Sequence, residues 1–116
     1  MISTKLHGVL DYAVGVLLIA APFLFGFANG GPEQWVPTIL GATTIVMSLI
    51  TRYELSVAKI IPLPVHLTID LLSGALLAAS PWLFSFADTI WWPHVGVGFL
   101  EILVVLLTRR RDDGVR

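Results

Sequence analysis

The sequence predicts an all-α membrane protein of four transmembrane helices, formed by two tandem helical-hairpin repeats related by a pseudo-two-fold axis along the membrane normal. Three observations predict it. The chain repeats itself, it is too apolar for a small soluble core, and its basic residues fall on one side of its apolar segments. Of the 116 residues, 56% are hydrophobic and only 13% charged, whereas a soluble domain carries about 25% charged residues. That much apolar surface has to face lipid as well as the interior.

The repeat is read by sliding the chain against itself. An offset of 59 residues aligns His7–Ala28 with His66–Ala87, and 11 of the 22 pairs are identical. Past the next loop the offset becomes 57 and pairs Trp35 with Trp92, Gly41 with Gly98, and Thr51-Arg52 with Thr108-Arg109. Self-similarity at a fixed period marks one structural unit used twice. Repeat 1 covers 5–53, with spans at about 7–27 and 36–51. Repeat 2 covers 64–109, with spans at about 66–86 and 92–108. All of 1–116 forms one transmembrane domain on this reading.

Each element has its own justification. The first and third segments hold roughly 21 residues, enough to cross ~30 Å of hydrocarbon at ~1.5 Å per residue. The first lies at the N-terminus, but Asp11 interrupts it early and the segment recurs, so it reads as a retained helix and not a cleaved leader. The second and fourth are shorter and reach the interface through the flanking Trp35, Trp91 and Trp92. Lys5, Arg52, Lys59, Arg109, Arg110, Arg111 and Arg116 all lie on one side, opposite the loops carrying Glu33 and Asp88. The positive-inside rule then places both termini in the cytoplasm, and Trp35, Trp82, Trp91 and Trp92 form an aromatic belt at the far face, where His94 is expected to be solvated. The glycines Gly8, Gly15, Gly41, Gly74, Gly96 and Gly98 are expected to permit close helix contact.

The most distinctive stretch is written twice, as AAPFLFGFAN at Ala20–Asn29 and ASPWLFSFAD at Ala79–Asp88. Pro22 and Pro81 each remove a backbone donor, so each helix is expected to kink or end there, with its freed carbonyl covered by protein. The aromatics that follow are expected to wedge into the outer interface, with a lipid or quinone niche between the kinked helices as an alternative. Ser80-Pro81-Trp82 within a duplicated two-helix unit resembles the SPW-repeat family of small bacterial membrane proteins; the first copy departs from it, with Ala21-Pro22-Phe23. The resemblance implies a multi-pass protein of the bacterial cytoplasmic membrane and supplies no catalytic residue to carry over.

A candidate functional cluster is made of polar residues in apolar surroundings. His7 and Asp11, like His66 and Asp70, are four residues apart and share a helix face. Arg52 and Arg109 end the partner segments at similar depth. One reading has these groups hydrogen-bonding within each hairpin. Others are a divalent-metal site of imidazoles and carboxylates, a haem held between His7 and His66, and a proton path through Glu101. An ionisable group deep in a span is a functional candidate by default, and Glu101 has Thr44 as its repeat mate.

The functional expectation is a non-enzymatic scaffold or accessory subunit, with a small transporter or proton conductor, or a haem or quinone carrier, as alternatives. The expected partners are the lipid bilayer and a second copy or another membrane protein. No nucleic-acid partner, catalytic residue or resident cofactor is expected, and the absence of cysteine excludes thiolate chemistry.

Overall fold

Ser3 starts the first helix: its hydroxyl accepts the Leu6 N–H at 3.1 Å, capping α1 (Thr4–Leu24). The computed structural model describes residues 2–52 and 54–108. Three more helices follow: α2 (Pro32–Ile50), α3 (Leu63–Leu83) and α4 (Trp92–Leu107). Each of these three begins with a proline in its first turn, where a missing N–H breaks no helical bond. The described residues therefore form four helices joined by loops, with only two isolated backbone bridges outside them.

Three of the helices begin earlier than the apolar pattern alone indicates, while α4 begins at Trp92 as expected. α1 and α3 start three residues ahead of the expected spans, and α2 starts at Pro32 and reaches 19 residues. The Ser3 cap and the first-turn prolines of α2 and α3 account for this, since they extend those three helices beyond their apolar stretches. The other ends fall short of the expected Phe27 and Phe86, because both helices close there in the same left-handed cap. Phe25 and Phe84 cap the helices, Gly26 and Ser85 take positive φ of 76° and 60°, and the Phe27 and Phe86 N–H groups donate back to Pro22 O and Pro81 O at 2.8 Å. This is the six-to-one bond of a Schellman motif. Pro22 and Pro81 thus sit in the last turn and belong to the stop signal.

α1 packs along α2, and α3 along α4, through glycine crossings close enough to exclude a side chain. A Cβ placed on Gly41 would lie 2.7 Å from Gly15 O, and one on Gly98 would lie 2.6 Å from both Gly74 O and Ala78 N. Gly96 does not serve in this way: a Cβ there would meet nothing within 4 Å. The two hairpins then meet through α2 with α3 and α1 with α4. Backbone bonds also cross at one end of the bundle, from Ile2 N–H to Leu107 O at 2.7 Å and from Ile61 N–H to Ile50 O at 2.8 Å. Two small apolar clusters fill the interior: Val14 and Leu18 with Leu77, and Leu63 and Leu67 with Val105.

The distribution of polarity is inverted relative to a soluble bundle. Among the described residues, 14 polar or charged side chains are buried against 11 apolar ones. Large apolar residues are instead exposed along every helix, from Val9 and Val16 on α1 to Leu103 and Leu106 on α4. α1 and α3 are long and apolar enough to cross a membrane. The molecule measures 46 × 23 × 18 Å, and its long dimension matches the ~40–45 Å of a bilayer with its headgroups.

Candidate functional site

The early turns of α1 and α3 bring four ionisable side chains to one point. His7, Asp11, His66 and Asp70 are all buried. His7 Nε2 lies 2.9 Å from Asp70 Oδ2 and 3.1 Å from Asp11 Oδ2. His66 Nε2 lies 2.7 Å from Asp11 Oδ2 and 3.1 Å from Asp70 Oδ2. Two nitrogens and two oxygens thus alternate around a small ring, with the imidazole centroids 5.8 Å apart and their planes at 75°.

The far side of each ring is held as firmly. His7 Nδ1 is 2.7 Å from Thr108 Oγ1, and His66 Nδ1 is 2.6 Å from Thr51 Oγ1. Each threonine hydroxyl gives its only proton to the carbonyl four residues back, Val104 O or Met47 O, at 2.5 Å. Having no second proton, it can only accept from the imidazole. Both histidines are therefore Nδ1–H donors. Each Nε2 faces two carboxylate oxygens, with protons or a cation needed between them.

Besides the His7–Asp11 and His66–Asp70 contacts within each hairpin, the shorter bonds run between the halves of the chain. His7 reaches Asp70 and Thr108, while His66 reaches Asp11 and Thr51. The arginines expected at this depth are Arg52 and Arg109. Arg52 is exposed and uses its backbone N–H on Ile61 O, while Arg109 lies outside the described residues. Thr51 and Thr108, one position before each arginine, bond the two imidazoles. Sequence reasoning missed both, although their pairing under the 57-residue offset was the available signal.

Glu101 is buried on α4 opposite Gly74, one turn above Asp70, and lies within electrostatic range of Asp70, Asp11 and His7. Its Oε1 has no hydrogen-bond partner among the described residues. Around the cluster, Thr4 Oγ1 donates to the Glu54 carboxylate at 2.7 Å and Tyr12 Oη donates to Leu55 O at 3.0 Å. Both bonds tether the loop after α2 to the first turns of α1.

The opposite end of the bundle corrects two expectations. His94 is only 1% exposed, not solvated; its Nε2–H donates to Glu33 O at 2.8 Å. Phe27 and Phe86 do not wedge outward either. They are buried against the His94 ring, with centroids 5.2 and 4.8 Å away. The ring packs against these aromatic side chains and a carbonyl takes its Nε2 proton, while its Nδ1 is buried with no hydrogen-bond partner among the described residues. Of the aromatics that follow the two prolines, Phe23, Phe25, Trp82 and Phe84 are left exposed.

The Ser80-Pro81-Trp82 motif now has a role for each residue. Pro81 has no N–H for Leu77 O, and the Ser80 hydroxyl supplies the missing bond at 2.6 Å. In an apolar medium an unpaired carbonyl costs several kcal/mol, on the order of 2–7. Pro81 itself is fully buried in the helix contact, while Trp82 faces outward among the exposed aromatics.

A helical bundle with a polar interior, an apolar surface and two helices long enough to span a bilayer has the character of a membrane protein. The SPW repeat domain model matches residues 5–108, and the chain belongs to that family. No curated protein and no solved structure matches it.

Proposed function

We propose that the protein is a non-enzymatic scaffold or accessory subunit of the bacterial cytoplasmic membrane, crossing it four times with both termini in the cytoplasm. Its two hairpins are copies of one unit, related by a pseudo-two-fold axis along the membrane normal. The matching distances support this relation: 2.7 against 2.6 Å for the two Nδ1–threonine contacts and 2.9 against 2.7 Å for the two crossing histidine–aspartate contacts. α2 and α4 complete the crossings, with exposed Trp35 and Trp92 near their starts lengthening their apolar reach.

The observation that carries the functional reading is the saturation of the His–Asp cluster. Every ring nitrogen of His7 and His66 has a partner from the opposite half. Such a cluster acts as a joint holding the two hairpins in one geometry, as buried polar groups do when they set register. A rigid unit with apolar flanks can then organise neighbours in the plane of the membrane, through small-residue and apolar helix contacts. Native mass spectrometry of the full chain, extracted in mild detergent from its own membrane, tests this. A second copy or another membrane protein retained with the chain is the expected result. A bare monomer would overturn the scaffold reading.

A further inference from the structure

We propose that His7, Asp11, His66 and Asp70 form a four-coordinate site for one divalent metal ion of the zinc type. The inference deepens the joint described above and rests on the same convergence, but it assigns a ligand to that joint. Four donor atoms, one from each residue, lie within 4.8 Å of one another, and all four residues are buried.

Donor chemistry selects the ion. Two imidazole nitrogens and two carboxylate oxygens suit Zn²⁺, with Mn²⁺ and Fe²⁺ as weaker matches, and a closed set of four favours the tetrahedral preference of Zn²⁺. Charge also balances: two carboxylates neutralise the ion while both imidazoles stay neutral. The threonine bonds present the imidazoles correctly. With Nδ1–H directed to Thr108 or Thr51, Nε2 is the atom left for the ion, and an oriented outer hydrogen bond is the usual support of a metal-binding histidine.

The fit is tight but attainable. Bonds of ~2.0–2.2 Å in a tetrahedron set neighbouring donors roughly 3.3–3.5 Å apart. The four histidine–aspartate separations are 2.7 to 3.1 Å. The ring must therefore open by several tenths of an ångström, within the reach of small side-chain rotations. Where protons bridge the cluster in the absence of metal, they leave for solvent as the ion enters, so one double positive charge replaces two single ones.

The test uses the full chain in detergent, treated with a chelator and then loaded with Zn²⁺ alone. Metal analysis after gel filtration is expected to give one ion per chain, and X-ray absorption to give two nitrogen and two oxygen donors near the distances above. Asp70→Asn and His66→Gln are expected to retain at least tenfold less zinc, while Glu101→Gln retains it. Thr51→Val with Thr108→Val keeps all four donors and is expected to bind 10–100-fold more weakly. If the ligand variants do not fold, the wild type still decides: Zn²⁺ should raise its melting temperature and the chelator reverse the shift. No retained zinc, or zinc retained equally by folded ligand variants, overturns the site. Loss of stability in Asp70→Asn without any zinc binding by the wild type would leave the joint standing and remove only the metal.

Discussion

Ser80 shows how much one hydroxyl can decide. It lies at a point where proline has removed a donor, and it returns a hydrogen bond to the Leu77 carbonyl from the same turn. Ser80→Ala is expected to lower stability in detergent by about 1 kcal/mol, the usual net worth of such a bond, read as a drop in melting temperature. No change at all would mean that another group or a lipid takes over that carbonyl. The proline and its aromatic surroundings were legible in the sequence, but this partner was not. The apolar pattern says that a carbonyl is freed and cannot say which atom covers it. His94 was misjudged for a related reason: its position beside Pro93 signals a helix start, while its burial depends on Phe27 and Phe86, distant in the chain.

The helices follow from periodicity, caps and breakers, and so they were the most legible part of the molecule. The starts of α1, α2 and α3 lie ahead of the expected spans because Ser3 and the first-turn prolines extend those helices beyond their apolar stretches, while α4 starts where expected. The i, i+4 spacing correctly put each histidine on the face of its own aspartate. It could not show that α1 and α3 meet at those faces, nor that the ends of α2 and α4 deliver Thr51 and Thr108 to the imidazoles. Helix contact was legible only as a list of glycines, and the list mixes two kinds. Gly98→Ala would force a methyl against the backbone of α3, and is expected to lose about 1–3 kcal/mol by overpacking. Gly96→Ala, where a methyl meets open space, is expected to be neutral or to gain up to about 1 kcal/mol. Equal melting temperatures for the two variants would contradict the α3–α4 crossing.

At the scale of the whole molecule, the polarity of the two surfaces unifies the account. Polar groups are gathered inside, where the halves exchange their bonds, and apolar side chains cover the outside. In water such a molecule would present a continuous apolar surface; in a bilayer that surface is already solvated. The His–Asp cluster lies near the ends of the helices flanked by Lys5, Arg52 and Lys59, and the exposed tryptophans mark the other end. On the proposed orientation the cluster therefore lies toward the cytoplasm, which supplies a divalent ion or protons. The four-span arrangement and its orientation are the claims on which this picture depends.

Because the chain has no cysteine, single-cysteine labelling tests them without background. Val57 is exposed in the loop after α2, and Asp88 is exposed in the loop before α4. With a membrane-impermeant maleimide, Asp88→Cys is expected to react from the outside of cells whose cytoplasmic membrane is intact. Val57→Cys should react only after that membrane is opened. Equal labelling of both positions, or the reverse order, would contradict the proposed topology.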